Sequence, residues 1–430
     1  MYVKRFSLLA AAAATVVLCT APRISAQDIS ATVLHADRVF DGLKMYDDWV
    51  VVVSGNRIVD AGPVSSVSIP EDADMLRFEG ATLLPGLIDA HSHLLLHPYN
   101  ETSWNDQVLK ESFAERAIRA GVHAGNTLRA GFTSLRDLGS EGAGYVDVGV
   151  KQAIEKGVIP GPRLIVSGKA IVATGSYGPK GFAEHVHVPL GAEEADGLEG
   201  IQREVRDQIG NGADFIKVYA DYRWGPNGEA RPTFSIEELQ QAVATAGSSG
   251  RTVVAHASTA EAMRRATIAG VESIEHGDGG TPEVFQMMAE AGVILCPTIA
   301  AGHAIMQYGG WDPGTDSDPE RIVRKKQSIE DALEAGVTLC NGSDVGVFSH
   351  GDNPRELELM VDYGVSPLGA LTAATSVNAK LMHMEDAVGR VQTGFLADIV
   401  IVDGNPAEAI SDIRNVVLVM KDGEIVVGPR

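Results

Sequence analysis

Two histidines stand two residues apart at the end of an apolar run, in Leu83-Leu-Pro-Gly-Leu-Ile-Asp-Ala-His-Ser-His93. Successive side chains of a strand alternate faces, so His91 and His93 point the same way. Two neutral imidazoles on one face are half of a zinc site. A pair of surface histidines after a buried strand is the plainer alternative. It is weakened by later apolar stretches that end in residues of the same chemistry. Lys217 lies in Asp214-Phe-Ile-Lys-Val-Tyr219, where a charged amine in an apolar strand needs a partner. His256 closes Thr252-Val-Val-Ala-His, His276 sits in Ser273-Ile-Glu-His-Gly277, and Asp344 follows Leu339-Cys-Asn-Gly-Ser343. Alone, each reads as a core histidine, a salt-bridged lysine or a capping aspartate. Together, at separate strand ends, they read as the donors of one metal centre.

Such convergence demands a fold that brings many strand ends to one face. Between about 85 and 390 the chain alternates short apolar runs with helical stretches. The runs are Leu84–His91, Thr133–Asp137, Leu164–Gly168, Asp214–Tyr219, Thr252–His256, Ser273–His276, Val293–Thr298 and Val337–Asn341. Caps locate the helices: Ser235 with Glu238, Ser258 with Glu261, Thr281-Pro282 and Asp318-Pro319, with stops at Gly247, Gly270, Gly292 and Gly336. This pattern predicts an α/β protein, a (β/α)8 TIM barrel over 85–390 with its chemistry at the strands' C-terminal ends. A doubly wound open sheet is the alternative. Residues 27–84 and 391–430 share a different texture of β-branched strands and tight turns, and predict one small β-sandwich domain built from both termini. Two stretches, Thr174–Gly197 and Ala301–Asp318, read as long loops that shape a pocket, with Trp311 a candidate lining residue.

The 430 residues carry a net charge of −22, which argues against nucleic-acid or anionic-membrane partners. Lys4 and Arg5 precede an apolar, alanine-rich stretch from Leu8 to Leu18, with small residues at Ser25-Ala26. Residues 1–26 therefore read as a cleaved export signal, giving a periplasmic or secreted protein with no integral membrane segment. Cys296 and Cys340 remain, each in an apolar run, and are expected to be buried free thiols.

On the motif Pro85-Gly-Leu-Ile-Asp-Ala-His-Ser-His93, the ordered set Lys217, His256, His276 and Asp344, and the closing Ala397-Asp-Ile-Val-Ile-Val-Asp403, the chain resembles the amidohydrolase superfamily over nearly all of its length after the signal. Within it, Phe215-Ile-Lys-Val, Ile274-Glu-His-Gly and Gly342-Ser-Asp are similar to a prolidase-like and Xaa-Arg-dipeptidase-like subgroup that includes ochratoxin A-hydrolysing amidohydrolases. The resemblance implies two zinc ions, one held by His91, His93 and Asp344 and the other by His256 and His276. Lys217, as N6-carboxylysine, would bridge them, because a free ammonium has no lone pair for a metal. It implies a hydrolase that frees a C-terminal amino acid from a dipeptide, an N-acyl amino acid or ochratoxin A, with Asp344 carrying the proton from water to the leaving nitrogen. Tyr219, Tyr222 and Arg223, just after Lys217, suit the released carboxylate. Many relatives carry a histidine near Tyr177, in a Gly-Gly-His-type turn; here that histidine is missing, and His185 or His187 on the same loop is the expected replacement. A homo-oligomer is the further expectation. The alternatives are a mononuclear cyclic-amidase or deaminase-type hydrolase of the same superfamily, and a non-catalytic binding protein on a decayed barrel.

Overall fold

A computed structural model describes residues 31–429; the expected export signal lies outside the described residues. Two parallel sheets occupy the middle of the chain. The first joins β1 (Leu87–Ser92), β2 (Phe132–Asp137) and β3 (Arg163–Val166) in that order. The second contains β4 (Ile171–Val172), β5 (Glu193–Glu194), β6 (Ile216–Tyr219), β7 (Val253–Thr259), β8 (Ser273–Gly279) and β9 (Ile294–Cys296), ordered β5-β4-β6-β7-β8-β9. Apart from Glu193–Glu194, these strands are short, mostly apolar and largely buried on both faces, as parallel strands covered by helices are. The eighth apolar run forms no extended strand. It makes isolated parallel bridges instead, Leu339 with Leu295 and Val345 with Ser92. Backbone hydrogen bonds flank it on both sides, from Leu295 N to Thr338 O (3.0 Å) and from Ala90 N to Asn341 O (2.9 Å).

The helices follow most of their caps, but Pro319 rather than Asp318 is the N-cap of Glu320–Glu334, the Asp318 carboxylate being taken by Lys326, and two further differences stand out. Ser235 and Glu238 form a capping box for Ile236–Gly247, and Gly270 and Gly292 end their helices at φ +86° and +71°. The cap of Ala260–Ala269, however, is Thr259 rather than Ser258. The carboxylate of Asp221 holds the amides of both residues, which turns the Thr259 side chain toward Ala262 N. Ala301–Asp318 is also not all loop, because Ile299–Tyr308 is a helix. Its first amides, Ile299 N and Ala300 N, donate to the buried Glu356 carboxylate at 3.0 and 2.7 Å. This cap comes from 56 and 57 residues away and leaves no local trace in the sequence.

Cys296 and Cys340 are not free thiols but a disulfide, with Cα atoms 4.8 Å apart. Leu295 and Leu339 are bridge partners, so the residue after each lies beside the other. Sequence spacing could not reveal that adjacency.

Both ends of the described chain meet in one eight-stranded sheet, ordered Glu424–Val427, Val416–Lys421, Ile399–Asp403, Asp74–Pro85, Thr32–Phe40, Trp49–Ser54 and Arg57–Pro63, with Met45–Asp47 paired to Thr32–Phe40. Alternating residues divide its packing. Leu83 and Ile401 join an apolar cluster within the sheet, whereas Leu84 and Val400 join the central core. Among the described residues, no helix is long and apolar enough to cross a membrane.

Candidate metal centre and substrate cleft

His91 and His93 sit at the C-terminal end of β1, with ring centroids 5.3 Å apart. Their Nε2 atoms converge on one oxygen, Asp344 Oδ1, at 3.6 and 3.4 Å. His276, from β8, places its ring 5.2 Å from that of His91 and 4.4 Å from that of His256 on β7. Ligand atoms of His91, His276 and Asp344 all lie within 4.8 Å of one another. Lys217 is buried on β6, and its charge acts on His91, His93, His276 and Asp344. The expected ligands therefore come together from five stretches of chain.

Each histidine has its other nitrogen engaged. His91 Nδ1 lies 2.7 Å from Glu275 Oε2, His93 Nδ1 donates to Gly139 O at 3.1 Å, and His276 Nδ1 lies 2.7 Å from Thr298 Oγ1. His256 Nε2 is 3.4 Å from both Asp221 Oδ1 and Ser258 Oγ, which leaves Nδ1 as its free donor atom. Such partners set the tautomer and aim the remaining lone pair. Burial holds His91 and His276 well below the ordinary histidine range, so both are neutral and fit to bind a cation. Burial also brings Lys217 down to about 8 and pushes Asp344 up to about 8. An anion kept there needs positive charge beside it, and a divalent cation supplies that. The donor set thus fits the metal that the sequence implies.

The backbone is strained at the same place. His276, Thr298, Asp344 and Glu141 all adopt positive φ, at +75°, +51°, +58° and +46°. Side chains with a Cβ occupy this region at a cost of about 1–3 kcal/mol each and do so mainly at functional sites.

Sequence reasoning missed the supports. Glu275 accepts from Arg136 Nη2 at 2.9 Å and Ser273 Oγ at 2.6 Å, and all three are fully buried. An acid directly before a ligand histidine in an apolar strand was the available clue. Arg136→Met should strip Glu275 of its cation and cost about 3–5 kcal/mol. Urea denaturation of the variant checks this, and a loss under about 1 kcal/mol would show that the ion pair is dispensable.

A cleft of about 550 Å3 opens over the centre. Tyr177, Tyr219, Tyr222 and Arg223 line it. His187 does not, and neither does His185; both are exposed to solvent. Thr174 N and Gly175 N bind Asp196 and Glu194, which closes the base of the loop and leaves the stretch around His185 and His187 outside the cleft. Trp311 is likewise not a lining residue, since it packs edge-on against His303 at 5.0 Å in the core.

Comparison with known proteins gives concordant matches. The amidohydrolase family model covers residues 82–426. An ochratoxinase of Aspergillus niger is 31% identical over 385 residues, spanning 81% of this chain and 76% of its own. A crystal structure of a Xaa-Pro dipeptidase with methionine bound in its active site superposes with a TM-score of 0.81 at 32% identity, covering 93% of this chain and all of that one. A prolidase complexed with N-methylphosphonate-L-proline gives a TM-score of 0.79 at 30% identity, with coverage of 93% and 100%.

Proposed function

From the premise that this chain belongs to the amidohydrolase family, as a metal-dependent hydrolase of amide bonds, we propose that it is a two-zinc enzyme that frees a C-terminal amino acid from dipeptides, N-acyl amino acids or ochratoxin A. The observation that carries this is the meeting of His91, His93, His256, His276 and Asp344 around the buried Lys217. Lys217 enters as the carbamate, formed when its neutral amine adds carbon dioxide and releases a proton. Divalent ions held by these residues supply Lewis acidity toward a carbonyl and a water acidic enough to ionise near neutral pH.

Asp344 then moves the proton. It accepts one from the water whose oxygen attacks the carbonyl carbon, and returns it to the nitrogen as the C–N bond breaks. Arg223 grips the carboxylate of the departing amino acid. We read the two parallel sheets as arcs of one (β/α)8 barrel over residues 85–390. The hydrogen bonds flanking residues 338–345 support that reading, as does the amide of Asp214, which donates to Val166 O beside β6. We read residues 31–84 and 391–429, which share one eight-stranded sheet, as the accompanying β-sandwich domain. The chain works outside the cytoplasm, where a disulfide such as Cys296–Cys340 persists, and it assembles as a homo-oligomer.

The test is a panel of dipeptides, N-acyl amino acids and ochratoxin A, with basic, aromatic and proline leaving groups. Zinc-loaded protein should hydrolyse at least one class, lose that activity to a strong chelator and regain it on addition of zinc. Activity that survives chelation, or a fully loaded protein inert toward the whole panel, would overturn the reading.

A further inference from the structure

Glu141 has no part in the chemistry described so far. It follows β2, lies 3% exposed and lines the cleft. Three neutral groups donate to its carboxylate: Tyr177 Oη at 2.7 Å and Trp104 Nε1 at 2.8 Å to Oε2, and Tyr219 Oη at 3.3 Å to Oε1. Arg116 reaches only its backbone carbonyl, at 2.7 Å. The cleft's other acids are accounted for. Asp278 pairs with Lys325 and Arg321, Glu229 pairs with Arg231, and Asp344 belongs to the metal-type centre. Glu141 is the lining carboxylate that forms no direct side-chain ion pair among the described residues, and Arg116 and Lys217 act on it only through space.

Its surroundings favour a cation. Tyr177, Tyr219 and Tyr222 form an aromatic corner, with centroids 4.7–5.8 Å apart. The faces of such rings attract ammonium groups. The carboxylate also stands beside the centre, since a Cβ added at Gly139 would lie 3.6 Å from Glu141 Oε1 and 3.8 Å from His93 Cε1. More exposed parts of the same cleft carry Arg223, Arg321 and Arg324. One cleft therefore offers a buried negative end and a cationic mouth, the complement of a zwitterion. The α-ammonium of a dipeptide is two bonds from the scissile carbonyl carbon, so it falls close to the centre. A lysine or arginine side chain of the leaving residue extends away from it.

We propose that Glu141, with the walls of Tyr177, Tyr219 and Tyr222, is an α-ammonium subsite that makes this enzyme a dipeptidase selective for a free amino terminus. The inference rests on the amide-hydrolase reading and names the substrate class within it.

The test compares L-alanyl-L-phenylalanine with N-propionyl-L-phenylalanine, which has the same shape without the amine. Zinc-loaded wild type should favour the dipeptide in kcat/KM by on the order of 100-fold. Glu141→Gln, which keeps shape and neutral hydrogen bonding, should erase most of that preference, chiefly through KM for the dipeptide. An equal loss on both substrates would make Glu141 a support of the centre and overturn the proposal, as would a wild type that prefers the propionyl compound. Calorimetric titration of both compounds into zinc-loaded wild type and variant separates the two failures. No turnover of either compound counts against the amide-hydrolase reading. Equal affinity of wild type for the two counts against ammonium recognition.

Discussion

Asp344→Asn is expected to lower kcat by on the order of 1,000-fold while leaving the protein folded. The magnitude is that of removing a positioned proton carrier. The structure makes this substitution unusually clean. Asp344 occupies the left-handed region at φ +58°, which asparagine tolerates better than most residues. The amide keeps the side chain's size, and its oxygen can take the place of Oδ1 opposite His91 Nε2 and His93 Nε2. On the proposed mechanism, what disappears is the ability to take a proton from water and return it to nitrogen. Steady-state kinetics on the best substrate of the panel, alongside circular dichroism and a thermal melt, provide the check. A variant within tenfold of wild type would remove Asp344 from proton transfer and leave it only a ligand. A variant that fails to melt cooperatively would show instead that the carboxylate is structural.

The second large effect belongs to Lys217→Ala. On the two-zinc reading, activity should fall on the order of 1,000-fold, because the carbamate that would hold both ions is gone. Bound metal, measured by atomic emission after gel filtration, should fall from two ions per chain toward one. Lys217 is suited to carboxylation by its burial, which brings the amine down to about 8 and leaves a useful fraction neutral near that pH. Added acetate or propionate should restore part of the activity and of the metal by placing a carboxylate in the space the side chain leaves. Wild type supplied with 13C-labelled bicarbonate should show a carbamate carbon resonance that Lys217→Ala lacks. Unchanged metal content in the variant, with no such resonance in wild type, would reduce Lys217 to the neighbour of a mononuclear site.

How much of this was legible beforehand depends on the range of the interaction. Alternation along one strand is local, so Leu83 to His93 by itself showed that His91 and His93 share a face. The ends of apolar runs are local as well, which is why Lys217, His256, His276 and Asp344 could be picked out one by one. Helix caps at Ser235, Gly270 and Gly292 were readable for the same reason. The composition argued against nucleic acid as a partner because net charge is a sum that needs no fold.

The tertiary structure decided everything that depends on which strands become neighbours. Only the pairing of Leu295 with Leu339 turns two ordinary apolar cysteines into a disulfide. Only the fold brings Arg136 of β2 onto Glu275 of β8 and thereby aims His91. Glu356 caps a helix that the sequence presented as a loop, and Asp221 moves a cap by one residue. The loop around His187 had suitable chemistry but was tied back at its base, away from the cleft. Glu141 had no distinguishing neighbourhood in the chain until three aromatic donors, from positions 104, 177 and 219, closed on its carboxylate. Residue type declares what a side chain can do. Burial next to a partner far along the chain determines which of those capacities is used, because desolvation makes an unpartnered charge costly.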